Sequence, residues 1–322
     1  MIPHPLRILC IGDGRPGHEK QTLAMAEAFG RLTLVETRWF RPPEGRVFAV
    51  FSRVQALGAD CFPFFTSRIL KSWGWGEKGF IPDLVMAAGS HTHGALLVFG
   101  KHYGARTLVC MTPDAWVRSR VDLTLSPTHD GRKPDARTLL TLGPPCRLVS
   151  GEGRKENYGL VLVGGLDPSS HVWDEKALED ALCALFNANP RMRWEVSSSP
   201  RTPESTEVML ERICKARPEI LFIPFSRTPR GWVENAYARS SEAWITGDSM
   251  SMIYEALAAG CRVGVLPVRW KREDNKFQRS LDLLHGKGWI AYPGERPEKG
   301  AAVLDEAGRA AEEAVKRWWK KD

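Results

Sequence analysis

Short apolar, β-branched runs alternate along the whole chain with stretches of helical periodicity. In the first half the runs predict strands at residues 7–11, 32–36, 83–87, 107–111, 122–125 and 138–142. Helices are expected between them, over residues 19–30, where Leu23, Met25, Ala26 and Phe29 form an apolar stripe, and over residues 94–103. After Gly143-Pro144-Pro145 and a polar stretch at 150–155 with the composition of a linker, the alternation restarts. Strands are predicted at 159–163, 194–197, 220–223, 243–245 and 262–266, with helices over 174–187, 204–215, 249–259 and 276–285. A last amphipathic helix spans about 303–320.

Strand, helix, strand in repetition implies parallel pairing with right-handed crossovers. The expected fold is therefore α/β, with two Rossmann-like domains, residues 1–150 and 151–322, facing each other across a cleft. The last helix is free to pack back on the first domain. Ligands of open α/β sheets bind at the carboxyl ends of the strands.

Composition adds little beyond a globular class: of 322 residues, 43% are apolar and 26% charged, which excludes disordered and fibrous readings. No apolar run reaches the ~18 residues of a membrane span, and Met1 to Arg7 shows no signal-peptide core, so a cytoplasmic protein is expected. The seven cysteines are scattered singly, which argues against a disulfide framework or a zinc cluster and suits small core residues. Charge is uneven. Residues 1–150 hold 19 Lys and Arg against 12 Asp and Glu, and the remainder is balanced. Within that half, Trp39, Phe40, Phe48, Phe51, Phe62, Phe64, Phe65, Trp73, Trp75 and Phe80 are interleaved with Arg41, Arg46, Arg53, Arg68, Lys71 and Lys78. That mixture suits either a surface resting on an anionic membrane or an aromatic core with a solvated basic face. No zinc finger, RNP-like sequence or basic helix points to nucleic acid.

The first strand runs into Gly12-Asp13-Gly14-Arg15-Pro16-Gly17-His18-Glu19, a glycine-rich loop opening a helix, where free amides and the helix dipole favour an anion. It contains G-x-G-x-x-G, and Glu36 follows at the expected end of the second strand, as in a dinucleotide site. Asp114 follows the fourth strand and could serve as an acid, a base or a turn former. His91 and His93 open a helix without a third ligand for a metal. In the second half, Gly164-Gly165 follows the first strand. Ser198, Ser199, Arg201 and Thr202 follow the second and suit phosphate oxygens. Residues 245–263 read as strand, polar turn, helix, glycine stop and strand, in which Asp248 or Ser249 can cap the helix and the amides of Met250, Ser251 and Met252 can face a phosphate. Glu255, two turns in among small and apolar residues, needs hydroxyl or cationic partners, and a ribose would supply them. Asn275 and Gln278 open the following helix.

At Gly12 to Gln21, Ser199-Pro200-Arg201-Thr202-Pro203, Asn235-Ala236-Tyr237 and Thr246 to Met252 with Glu255-Ala256, the chain resembles the mitochondrial-fission ELM-like family. Bacterial members of that family are regarded as glycosyltransferases of GT-B architecture. More distantly the same segments are similar to the transferase that adds N-acetylglucosamine to lipid-linked peptidoglycan precursor. The resemblance implies a nucleoside diphosphate sugar, UDP-linked, held by the second domain, with Glu255 on the ribose and Asn275 or Gln278 on the sugar. It implies an acceptor hydroxyl from an anionic or lipid-linked glycan, such as a lipopolysaccharide core, met by Gly14, Arg15, Gly17 and His91 of the first domain. His18 or Asp13 would be the base, with Asp114 third, and helix dipoles with Arg201 would replace a metal ion. No cofactor is implied, and the protein would work in the cytoplasm or peripherally on the inner face of the membrane. Three other functions use the same features: an NAD-dependent oxidoreductase on Gly12, Gly14, Gly17 and Glu36, a nucleotide-sugar 2-epimerase, and a non-catalytic adaptor.

Overall fold

The computed structural model describes residues 2–43, 46–61, 65–76, 79–151, 153–272 and 274–319. They form two compact units, Met1–Arg147 together with Asp305–Asp322, and Leu148–Leu304.

The first unit contains β1 (Leu6–Ile11), α1 (Pro16–Gly30), β2 (Val35–Phe40), α2 (Arg46–Cys61), α3 (Thr66–Ser72), β3 (Leu84–Ala88), α4 (His93–Tyr103), β4 (Arg106–Cys110), α5 (Ala115–Arg118), β5 (Leu123–Pro127) and β6 (Thr138–Thr141). Its sheet is parallel in the order β2-β1-β3-β4-β5-β6. Alternation along β1 sends Leu6, Ile8 and Cys10 into a core with Met25 and Phe29 of α1, and sends Leu9 and Ile11 into a second core with Val98 and Phe99 of α4. Both faces are covered, so β3 is apolar throughout and β1 is apolar from Ile8 on.

The second unit contains β7 (Lys155–Leu162), β8 (His171–Val172), α6 (Glu175–Ala188), β9 (Arg193–Ser197), α7 (Glu204–Lys215), β10 (Ile220–Ile223), α8 (Trp232–Arg239), β11 (Ser240–Thr246), α9 (Met250–Ala258), β12 (Arg262–Leu266), β13 (Arg269–Trp270), α10 (Lys276–Gly286) and β14 (Ile290–Ala291). Its main sheet is parallel in the order β10-β9-β7-β11-β12-β14, the doubly wound arrangement. The chain then returns to the first unit as α11 (Glu306–Trp318), whose Ala307, Ala310, Ala311 and Ala314 pack into the core beside α1.

Three expectations change. The second strand is Val35–Phe40 rather than 32–36, because Leu32 and Leu34 are exposed loop residues and the edge strand starts after them. Glu36 is therefore near the amino end of β2, in register with Arg7 and 3.9 Å from its guanidinium. The acid required by the dinucleotide reading would have to stand at the other end of this strand, so that reading loses its ribose ligand. Arg154 is not part of a free linker: its guanidinium donates to the carbonyls of Ala259 and Gly260, neutralising the negative end of α9. Of the aromatic segment, Phe40, Trp73, Trp75 and Phe80 belong to the core around Phe99, with Phe40 and Phe99 ring centroids 5.0 Å apart. Phe51 and Phe65 remain exposed. Phe62, Phe64 and Lys78, and the side chains of Arg46 and Cys61, lie outside the described residues. Burial pushes the Cys110 thiol up to about 12 and that of Cys261 to about 11, which leaves both as unreactive core atoms.

Candidate functional site

In an open parallel sheet a crevice forms where neighbouring strands send their connections to opposite faces. In the first unit that point lies between β1 and β3, and in the second between β7 and β11. Both crevices are lined by glycines and titratable side chains.

In the first unit the loop after β1 folds back on itself. Asp13, with only 5% of its side chain exposed, accepts a hydrogen bond from His18 Nδ1 at 2.8 Å. With Nδ1 donating to a carboxylate, Nε2 carries the lone pair. The dyad exists because the residue facing it from the end of β3 is Gly89. A Cβ there would lie 2.3 Å from His18 Nδ1 and 3.0 Å from Asp13 Oδ2. Gly89 also has φ +91°, which side chains rarely adopt.

His93, at the start of α4, is 3% exposed, and its Nδ1 has no hydrogen-bond partner. Burial holds its pKa down at about 4, partly offset by Asp114 and reinforced by His18. It is therefore a neutral imidazole beside the dyad. The exposed Asp114 stands at the start of α5, beyond Met111, whose φ of +81° is the left-handed value uncommon for a side chain. His91 is half-buried in the short 3₁₀ turn Ser90–Thr92.

The loop amides do not wait for a foreign anion. Gly14 N–H donates to Glu19 Oε1 at 3.2 Å, and Arg41 holds the same carboxylate through bonds of 2.8 and 3.0 Å. The Arg41 hydrogen bond lowers the Glu19 pKa. Arg15 and Gly17 are exposed around this turn, and Gly17 is already within α1. Glu19, Arg41, Gly89 and the chemistry of His93 are the site features that sequence reasoning passed over. The left-handed Gly89 just before the His-Thr-His turn was the available signal.

In the second unit three loops meet at Gly164 and Gly165. A Cβ on Gly164 would lie 2.2 Å from Asp248 Oδ2, and one on Gly165 would lie 2.1 Å from the Arg201 carbonyl carbon. Gly164 N–H donates to Thr246 Oγ1 at 2.7 Å and Gly165 N–H to Asp248 Oδ2 at 3.2 Å. Arg201 Nη2 donates to the same oxygen at 2.8 Å, and the Ser249 hydroxyl at 3.2 Å. The Asp248 side chain is 2% exposed and its Oδ1 is buried without a partner, whereas Arg201 is 44% exposed. Neither Asp248 nor Ser249 caps α9 through its side chain, contrary to expectation: the carboxylate is committed to Gly165 and Arg201. Thr202 donates to the Gly164 carbonyl, and Ser199 N–H donates to Thr202 Oγ1 at 2.8 Å.

Not every sequence candidate reaches this crevice unoccupied. Ser198 is buried, donating to Glu207 and accepting from the Phe225 amide at 2.8 Å. Asn275 caps α10 by accepting from Phe277 and Gln278 N–H at 3.0 and 2.9 Å, and Gln278 donates to Asp282. Met250, Ser251 and Met252 form the first turn of α9, whose amides have no partner within the helix. Glu255 is half-buried on the same helix. Arg262, the cation at the start of β12, pairs with Glu156 and Glu242.

Two doubly wound parallel units in tandem are the GT-B architecture. The chain shares this fold over nearly its whole length with the S. aureus MnaA-UDP co-structure (13% identity, 96% of this chain and 95% of that one, TM-score 0.52). It shares it also with UDP-GlcNAc 2-epimerase from Methanocaldococcus jannaschii (10% identity, 96% and 99%, TM-score 0.55) and with Phytolacca americana UGT2, solved with UDP-2fluoro-glucose and pterostilbene (9% identity, 97% and 90%, TM-score 0.51). The mitochondrial fission ELM1 family matches residues 16–318, and the chain belongs to that family. No curated protein matches the sequence.

Proposed function

We propose that this protein is a glycosyltransferase that moves a sugar from a nucleoside diphosphate, UDP by preference, to a hydroxyl of an anionic or lipid-linked glycan. The observation that carries the reading is the crevice between β7 and β11, where Gly164, Gly165, Arg201, Ser249 and the amino end of α9 converge. The glycines let the Arg201 and Asp248 loops close against the end of β7, which sets the Arg201 guanidinium beside the amino end of α9. The α9 dipole and the exposed guanidinium of Arg201 balance the charge that grows on the leaving diphosphate. Glu255 binds the ribose from the second turn of α9.

In the first unit His18 Nε2 takes the proton of the acceptor hydroxyl, and Asp13 fixes the tautomer and stabilises the imidazolium. Neutral His93 keeps a second positive charge away from His18. Asp13, buried and already accepting, is thereby the orienting group and His18 the base. Because Arg201 and the dipole supply the positive charge, turnover is expected to persist in a chelator.

The test is thermal melting with UDP, followed by mass spectrometry of nucleotide sugars incubated with the protein. UDP should raise the melting temperature and Glu255→Ala should remove the rise. A donor converted to its C2-inverted isomer without acceptor would make the protein an epimerase. One observation favours the adaptor reading: Glu19 and Asp248, acids of the chain itself, occupy the amides and cations of both crevices. Absence of any UDP effect, with Glu255 intact, would establish that reading instead.

A further inference from the structure

Helix α2 is built inside out. Among the described residues its buried ones are small, Ser52, Ala56 and Ala59, and α4 receives Ser52 at Gly94, where a Cβ would come within 2.4 Å of Ser52 Oγ. Of its large apolar residues, Phe48 packs on Trp73 while four others face away. Val50, Phe51, Val54 and Leu57 are 64, 53, 62 and 36% exposed. At 100° per residue they lie within an arc of about 120° on one side of the helix. A helix that buries its small side chains and leaves its large ones in water has an unpartnered face.

The charge around that face limits what covers it. Arg53, on α2, lies over the Trp116 ring at 4.9 Å. The neighbouring α3 contributes exposed Lys71 and Arg68, the latter 5.6 Å from the ring of Phe65, itself 40% exposed. The two helices adjoin through Trp73, which donates to Gln55 of α2 at 3.1 Å and packs on Phe48 at 5.2 Å. From Arg46 to Gly76 the sequence holds four cations and one acid, Asp60. A second copy meeting this face about a two-fold axis would bring these cations against their own equivalents. A bilayer of anionic phospholipid complements both properties, taking the apolar side chains among its acyl chains and the cations among its phosphates.

We propose that the outer face of α2, with the adjoining Phe65, Arg68 and Lys71 of the α3 segment, docks this protein on an anionic phospholipid surface. The docking is independent of the nucleotide-sugar reading. Where that reading holds, the bilayer lies beside the His93 and Asp114 turns, since α2 packs on Ser90–Thr92 and Arg53 on Trp116. A lipid-linked acceptor would then enter from the membrane.

Vesicle co-sedimentation of the full chain tests this, with phosphatidylcholine alone and with an equimolar mixture of phosphatidylcholine and phosphatidylglycerol. The protein should sediment with the mixture and stay in solution with phosphatidylcholine, and high salt should release it. Phe51→Ser with Val54→Ser, and separately Arg68→Glu with Lys71→Glu, should each reduce partitioning by about tenfold or more. These positions are exposed, so the variants should keep the parent's melting temperature and its response to UDP. Failure of the unaltered protein to bind the mixture, or equal binding by the Phe51/Val54 variant, overturns the proposal. So does a dimer, seen by light scattering, that this variant dissociates.

Discussion

Asp248 Oδ2 holds three donors from three loops, with Arg201 Nη2 nearest at 2.8 Å. A single carboxylate oxygen thus stands where the proposed diphosphate would seek its partners. Asp248→Asn keeps an acceptor for the Gly165 amide, frees the Arg201 charge and removes a repelling anion. It should tighten UDP binding by about tenfold, read as a larger melting shift. A smaller shift would mean that the carboxylate orients Arg201 for the ligand instead of competing with it.

The His18–Asp13 pair sets a second expectation. Asp13→Asn removes the carboxylate that fixes the imidazole tautomer, and His18→Gln removes the base. Each should lower transfer by roughly 10² to 10⁴. Neither should alter the UDP melting shift, because the residues proposed to hold the nucleotide belong to the other unit. Quenched-flow measurement of sugar transfer checks the first statement and calorimetry with UDP the second.

Gly89 should tolerate no side chain. Gly89→Ala would push a methyl group against His18 Nδ1 while forcing an alanine into φ +91°. The expected cost is about 1 to 3 kcal/mol of stability, with loss of transfer at least equal to that of His18→Gln. An alanine variant with full activity would separate the dyad from the chemistry.

Acid should destabilise the first unit through His93. Its pKa is lowered from 6.5 to about 4 by burial, so between those values the unfolded chain takes up a proton that the folded one refuses. Stability therefore falls as pH drops through this window, by up to about 3 kcal/mol. The Glu19 carboxyl, lowered by Arg41, adds a loss of the same sign only in more acid solution. Melting at pH 7 and pH 5 should show a difference that His93→Gln largely abolishes.

Strands and helices with one clear period were legible in the chain itself. Residues 262–266 are a strand that is apolar after Arg262 and follows a glycine stop, residues 204–215 carry an apolar stripe, and both form as read. Helix α2 was not legible because its pattern is reversed: the apolar stripe of Val50, Phe51, Val54 and Leu57 lies on the exposed side, and the buried Ser52, Ala56 and Ala59 are small. The aromatics near it suited either a surface or a core from the sequence, and the structure divides them: Phe40, Trp73, Trp75 and Phe80 are core, and Phe51 and Phe65 reach water. Strand β2 was displaced because an edge strand mixes charged and apolar residues, which blurs its start. Of the candidates named from loop composition, Gly164, Gly165, Arg201 and Asp248 bond to one another where the strand order reverses, whereas Ser198, Asn275 and Gln278 bond elsewhere. The acids that occupy those loops could not be assigned by spacing, since Glu19 reaches back five residues to Gly14 and Asp248 reaches across to a loop 83 residues away.

The return of α11 to the first unit bears on how the protein is made. The first core contains Ala307, Ala310, Ala311, Ala314 and Val315, and Glu306 accepts from the Leu142 amide. A nascent chain that has emerged only through residue 304 can complete its second unit while the first still lacks one wall. Synthesis therefore inverts the usual order of maturation, with the segment translated earliest sealed last.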